Sequence, residues 1–217
     1  MKEIFSGIFK DGNRIYTNNL VPGKSVYNEK LVKEGTMQLR EWDPKRSKLG
    51  AAIANGLKEM PIKHGGIVLY LGASTGTTVS HVSDIAGPEG FVYGIEFAER
   101  VLRNLIDLAN QRKNMAAIKA DARKTGEYKW IEECDVVFAD IADPQETEIA
   151  LRNCKEFLKK GGYLMISIKS QSIDVTKKPK EIYEQEKKKI ETAGFHVVQV
   201  IDLEPHEEKH CLIVAKK

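Results

Sequence analysis

Cysteine is scarce in this 217-residue chain. Its three cysteines, Cys134, Cys154 and Cys211, lie far apart and form no C-x-x-C pair. That spacing excludes a disulfide framework and the usual zinc site, so no metal is expected and buried free thiols are. Long hydrophobic runs are missing as well. None reaches the roughly eighteen apolar residues that suggest a membrane-spanning helix. The opening Met1-Lys2-Glu3-Ile4-Phe5-Ser6-Gly7 lacks the apolar stretch of a secretory signal. A cytoplasmic protein without membrane contact is expected. Internal repeats and low-complexity segments are absent too. A large charge of one sign is also lacking, since the net charge is only +3. Its distribution is uneven: residues 1–64 hold twelve Lys/Arg against seven Asp/Glu, and the remainder 22 against 24. A basic N-terminal third suits a phosphate backbone, and it suits an ordinary solvated surface equally.

What is present is an ordinary supply of core residues, 41% apolar, arranged with two periods. Up to about Trp42 the pattern is short and strand-like. Ile4–Phe9 and Arg14–Thr17 flank the turn Lys10-Asp11-Gly12-Asn13, and further turn signals precede Val26-Tyr27 and Met37–Trp42. This predicts a small antiparallel β domain, residues 1–44, packed on a larger one, residues 45–217. After Asp43-Pro44, a helix is expected from Ser47 to Met60, stopped by Pro61. Strands at 67–71, 91–95, 115–119, 135–139 and 163–168 then alternate with helices at 78–85, 98–112, 145–159 and 179–193. Such alternation implies an α/β fold with a mostly parallel sheet covered on both faces. The closing strands 196–201 and 211–215 are too close for a crossover helix and should pair antiparallel. Seven strands with an antiparallel last strand is the class I, Rossmann-like methyltransferase arrangement.

Ligands of open α/β sheets bind beyond the carboxyl ends of the strands. After the first parallel strand comes Gly72-Ala73-Ser74-Thr75-Gly76-Thr77-Thr78. Gly72 and Gly76 allow a sharp turn and close backbone approach, and Thr77 and Thr78 open the following helix. The spacing departs from G-x-G-x-x-G, which speaks against a nicotinamide dinucleotide. Glu96 follows the second strand, where a carboxylate can accept from both ribose hydroxyls of an adenosine, and Phe97 offers an apolar face to the adenine ring. Asp121-Ala122 follows the third strand and can read the adenine edge. Together these predict an adenosine-containing cofactor. Asp140-Ile141-Ala142-Asp143 ends the fourth strand and Lys169 the fifth, on strands expected to be neighbours; Lys48 precedes the first strand and His210 the last. Methylating a ribose hydroxyl requires loss of a proton of very high pKa. A lysine whose own pKa is lowered can assist, while a second lysine with an aspartate holds the nucleophile.

Several longer motifs resemble one family. Arg40-Glu41-Trp42 leads to Arg46-Ser47-Lys48-Leu49, and Tyr70-Leu71-Gly72 to Gly76-Thr77-Thr78 with Ser80-His81-Val82-Ser83-Asp84. Gly94-Ile95-Glu96-Phe97, Lys169 to Lys177, and Leu203-Glu204-Pro205 to His210 complete the set. On these the chain resembles the fibrillarin family in its archaeal form, with Asn19–Gly23 and Val26-Tyr27 similar to that form's small N-terminal domain. The glycine/arginine-rich tail of eukaryotic members is absent. The resemblance implies S-adenosyl-L-methionine-dependent 2'-O-methylation of ribose in pre-rRNA and tRNA. It makes Lys48, Asp140, Lys169 and His210 the catalytic set, with Lys169 as the leading candidate to activate the hydroxyl. It places the cofactor on Gly72, Ala73, Gly76, Thr77, Thr78, Glu96, Phe97, Asp121, Ala122, Asp140, Ile141, Ala142, Asp143 and Gln145. The family usually carries Gln where this chain has Asp143, and Gln145 stands two residues on. The implied partners are a box C/D guide RNA, its target rRNA or tRNA, a Nop-family scaffold and a kink-turn-binding ribosomal-like protein. With no RNA-recognition motif in the chain, sequence choice would fall to base pairing. The alternatives are a dehydrogenase on a related fold, and a non-catalytic component of the particle.

Overall fold

The computed structural model describes every residue from Met1 to Lys217. Five strands come first: β1 (Lys2–Phe5), β2 (Ile8–Asp11), β3 (Arg14–Asn18), β4 (Leu31–Glu34) and β5 (Met37–Trp42). They form one antiparallel sheet in the order β1-β2-β3-β5-β4. The alternating part follows with α1 (Lys48–Ala54), β6 (Ile67–Leu71), α2 (Thr77–Ala86), β7 (Phe91–Glu96), α3 (Glu99–Ala109), β8 (Met115–Lys119) and β9 (Cys134–Ala139). Then come α4 (Glu146–Phe157), β10 (Leu158–Lys169), the short α5 (Ser170–Ile173), α6 (Pro179–Thr192), β11 (His196–Asp202) and β12 (His210–Lys216).

The large sheet has the order β11-β12-β10-β9-β6-β7-β8. Only β12 runs against its neighbours β10 and β11; the other pairings are parallel. The chain moves outward from β6 through β7 to β8, then returns to the opposite side of β6 as β9. That reversal leaves a crevice between the carboxyl ends of β6 and β9, which is where such sheets bind ligands.

Alternation along the central strands builds two cores. Val68 and Tyr70 of β6, Val136 and Phe138 of β9, and Leu212 and Val214 of β12 face α1, α2 and α3. Leu69, Leu71, Val137, Ala139, Cys211 and Ile213 face α4 and α6. A strand buried on both faces has no polar positions to alternate, so it reads as a continuous apolar run. The three cysteines are free and buried in or beside these layers.

The N-terminal sheet joins the first core directly through Ile8, Ile15 and Trp42. Beneath it lies a dense polar network. Arg40, fully buried, donates to Asp84 (2.7 Å) and Glu29 (2.6 Å), and Arg112 reaches the other oxygen of Asp84 at 2.7 Å. His81 stacks on Trp42 with ring centroids 4.6 Å apart, and burial beside two arginines pushes its pKa down, keeping it neutral.

Two boundaries differ most from those read in the sequence, by five residues or more. The first helix ends at Ala54 rather than Met60, because Asn55 caps it and Gly56 takes a left-handed conformation (φ 92°). Leu57 and Met60, which continue the apolar pattern, stay buried without being helical. The fifth parallel strand begins at Leu158, with a register shift before Tyr163, so Lys160-Gly161-Gly162 interrupts the ladder instead of preceding it. The turn at Ser6-Gly7 and strand β4 also lay outside the sequence reading.

Candidate active site

Each candidate side chain is placed by an element end. Ser47 caps α1 by accepting from the Gly50 N–H, which sets Lys48 as the first helical residue. A cation at a helix N-terminus opposes the dipole, so helix stability does not explain Lys48 there. Its Nζ donates to Asp140 Oδ1 at 2.7 Å. Asp140 is held in turn by its backbone N–H, which donates to the Leu71 carbonyl at 2.9 Å, at the reversal point of the sheet. Lys169 and His210 are directly paired in the β10–β12 register, so both side chains emerge on one face of the sheet.

The electrostatics distinguish the two groups. Burial pulls the Lys48 pKa down, but the charge and hydrogen bond of Asp140, with Glu207 and Glu146 beyond, outweigh it and leave the pKa raised. Lys48 is therefore a fixed cation at neutral pH. His210 goes the other way: burial lowers its pKa, Lys48 adds to that, and the Glu208 carbonyl, Glu207 and Asp140 only partly oppose it. Its Nδ1 lies 2.7 Å from the Glu208 carbonyl. A carbonyl can only accept, so Nδ1 carries the proton and Nε2 keeps an acceptor lone pair.

Under this group lies Glu146, at the first turn of α4 and 1% exposed. Its Oε1 accepts the Lys169 backbone N–H at 3.1 Å, while Oε2 is buried without a partner. Burial pushes its pKa up to about 9, with Asp140 and Glu186 adding to the rise. The sequence shows Glu146 only as an acid suited to a helix start. Its burial depends on Glu186 and the rest of α6 packing over it, which no local pattern reveals.

Beside Asp140 a cleft of about 350 Å³ opens at the sheet reversal. Gly72, Glu96, Phe97, Asp121, Ala122, Asp140, Ile141, Ala142 and Asp143 line it, all read from the sequence. Ser74, Ala98 and Arg123 also line it and were not. Ala73, Gly76, Thr77, Thr78 and Gln145 lie outside the lining. Ala73 is packed in the core, and Gly76 takes a left-handed φ of 100° against Leu108. Thr77 faces a different cavity, Thr78 donates to Ser47 Oγ (3.0 Å), and Gln145 leads into α4 on the exposed side.

The cleft is suited to an adenosine. Glu96 accepts the Ser74 and Ala98 N–H groups, each at 2.7 Å, so its carboxylate is fixed where ribose hydroxyls can add to it. Phe97 is 65% exposed, an unpartnered aromatic face on the cleft wall. Asp121 is held by the Arg123 guanidinium, which lowers its pKa and keeps it an acceptor for an exocyclic amine. The volume falls within the range of small-ligand sites, about 300–1,000 Å³. Gly72 (φ 80°) has no room for a Cβ, which would overlap the Asp140 carbonyl oxygen and Ile141. The cleft and the Lys48–Asp140 pair thus share one strand end.

The family model for fibrillarin matches residues 1–217. A fibrillarin-like rRNA/tRNA 2'-O-methyltransferase of Sulfolobus acidocaldarius is 52% identical over 215 residues, covering 98% of this chain and 93% of that protein. Among solved structures, Aeropyrum pernix fibrillarin in complex with natively bound S-adenosyl-L-methionine superimposes with a TM-score of 0.86 at 44% identity, covering 93% of this chain and 88% of that one. A fibrillarin/Nop5p complex gives 0.88 at 36% identity, covering 99% of both chains.

Proposed function

The chain belongs to the fibrillarin family, and from that premise we propose that Lys48, Asp140, Lys169 and His210 carry its reaction, the S-adenosylmethionine-dependent 2'-O-methylation of ribose in pre-rRNA and tRNA. The observation that carries this assignment is the 2.7 Å Lys48–Asp140 pair on the rim of the adenosine-sized cleft, with Asp140 lining the cleft itself.

Bound there, S-adenosylmethionine supplies a methyl group on a positively charged sulfur, open to attack by a ribose oxygen. Glu96 would hold its ribose, Phe97 and Asp121-Ala122 its adenine, and the segment Asp140 to Asp143 the far wall. For the 2'-hydroxyl to attack, its proton must leave as the new bond forms. Asp140 can accept that hydrogen bond and aim the oxygen, while Lys48 fixes the carboxylate and balances its charge. Lys169 enters from β10 as the activating group. A second reading assigns the proton to His210, favoured by its unprotonated Nε2 beside the same pair. The two are coupled, so the proton loss belongs to the group as a whole.

The particle is the test system. In a preparation reconstituted with scaffold and guide, Lys169→Met is expected to lower the methylation rate at saturating RNA by about 100-fold or more, the scale of lost acid–base assistance. Cofactor affinity should be unchanged. Full activity of that variant removes Lys169 from the reaction and leaves His210 as the acceptor.

A Nop-family protein and RNA are the partners of this family member. A box C/D guide RNA and a kink-turn-binding ribosomal-like protein would complete the particle, a reading supported by the absence of an RNA-recognition motif in the sequence. No helix is long and apolar enough to cross a membrane, and a cytoplasmic site of action fits that reading.

A further inference from the structure

A second and larger cleft, about 530 Å³, lies on the other side of the glycine-rich loop from the cofactor cleft. The loop is the partition: Gly72 and Ser74 face the cofactor side, whereas Thr75 and Thr77 face the second cleft. Its opposite wall comes from the N-terminal region, with Lys24, Tyr27 and Arg46, and its floor from Gln111 and Arg112 after α3. Arg46 stands two residues before Lys48 in the chain, and Thr75 and Thr77 belong to the loop whose other side lines the cofactor cleft, so the second cleft neighbours the catalytic group without containing it.

The lining is built for a polyanion with sugar and base attached. Three cations, Lys24, Arg46 and Arg112, face one acid, Asp107. Arg46 is held in place: its guanidinium sits 4.8 Å from the centre of the Tyr27 ring, and Nη1 donates to the Tyr27 carbonyl at 3.1 Å. An arginine seated on an aromatic ring is preorganised for a phosphate oxygen and leaves the ring edge for a base or ribose. Arg112 is 5% exposed, and its Nη1 is fully engaged by Asp84, Ser83 and the Ser80 carbonyl. Its Nε–H has no acceptor at all. A buried unpaired guanidinium N–H is costly to leave unmade, and here it belongs to a residue of the cleft wall. The amides and hydroxyls of Asn104, Gln111 and Thr77 supply neutral donors beside the cations.

We propose that this cleft seats the ribose-phosphate backbone of the target RNA strand next to the ribose being methylated, with Lys24 and Arg46 contacting phosphates and Tyr27 packing on a neighbouring sugar or base. The inference rests on the function proposed above, and it assigns the RNA a path across the N-terminal region rather than over the carboxyl ends of β7 and β8.

The test is the double variant Lys24→Ala/Arg46→Ala in the reconstituted particle, with Lys45→Ala as control. Lys45 is equally exposed and adjacent in sequence, but does not line the cleft. The double variant should raise KM for target RNA about tenfold or more with kcat within about twofold. It should flatten the log–log salt dependence of target affinity by about 1.4, the value for two phosphate contacts on a single strand. Cofactor affinity and assembly with scaffold and guide should match the unaltered particle, which also shows that the variant is folded. Unchanged KM and salt slope, or equal effects from Lys45→Ala, overturn the proposal. Lost scaffold assembly with normal RNA affinity assigns the cleft to a protein partner and overturns it too. An unaltered particle that fails to methylate refutes the enzymatic reading itself, which is a separate result.

Discussion

Glu146 offers the sharpest check on the electrostatics of the active site. Its carboxyl is 1% exposed, has one oxygen without a partner, and is raised from about 4.5 to about 9 by burial, with Asp140 and Glu186 adding to the rise. Below pH 4.5 it is protonated in both the folded and unfolded chain and costs nothing extra. As pH rises, the unfolded chain releases the proton while the folded one retains it, so stability falls until the folded group ionises near pH 9. Each unit inside that window is worth about 1.4 kcal/mol, so the interval from pH 6 to 8 carries about 3 kcal/mol. Glu146→Gln removes the titration and keeps an oxygen for the Lys169 N–H. Urea unfolding at pH 6 and pH 8 should therefore show the variant gaining about 3 kcal/mol on the unaltered protein over those two units, other groups cancelling in the difference. Methylation by the reconstituted particle should stay within about twofold, because the tether to Lys169 survives; Glu146→Ala, which removes it, should lower kcat by about tenfold or more. Parallel pH profiles for the Gln variant and the unaltered protein would refute the reasoning, since they require Glu146 to be ionised when folded.

Two other substitutions test the frame around the site. Gly72→Ala places a Cβ against the Asp140 carbonyl at a left-handed φ of 80°, so Asp140 must move; cofactor affinity and methylation should fall together by about 100-fold, measured by equilibrium binding and by particle assay. Arg40→Met leaves Glu29 unpaired and Asp84 with Arg112 alone beneath the N-terminal sheet; urea unfolding should show a loss of about 3 kcal/mol or more, and an unchanged midpoint would show that the buried network adds nothing.

The large sheet was legible because its central strands are buried on both faces. Ile67–Leu71 reads as an uninterrupted apolar run between turn signals, and the structure places the central β6 at those bounds; Met115–Lys119, read at the bounds of β8, is a partly buried edge strand. The antiparallel close of the sheet followed from loop length alone, since the nine residues Asp202 to His210 between the strands read at 196–201 and 211–215 leave no room for a crossover. Local chemistry failed where tertiary packing decides. Asn55-Gly56 ended a helix whose apolar spacing continued, because Leu57 and Met60 could be buried without it. The cleft at the sheet reversal was legible through residues that end strands, whereas Ser74 and Arg123 sit one or two positions beyond them. Thr77 and Thr78 were legible as helix openers; Thr77 lines the second cleft, and the Thr78 hydroxyl donates to Ser47.

Asp143 shows how a departure from the family pattern is absorbed. Asp143, where the resemblance leads one to expect Gln, adds a negative charge to the wall of the cleft. The chain answers it locally: Asp143 Oδ1 accepts the Gln145 N–H at 2.8 Å, and Oδ2 lies 3.9 Å from Arg123 Nη1. The same guanidinium binds Asp121 at 2.9 Å, so one cation spans the ends of two strands across the cleft. The outer contact is long and Arg123 is half-exposed, so its direct worth to stability is small. Its consequence is for charge placement. With Arg123 beside it, Asp143 is no longer an isolated anion on the cleft wall, while Lys48 is matched by Asp140. Lys24 and Arg46, the cations proposed to meet phosphate, stand on the far side of the glycine loop from this acidic wall.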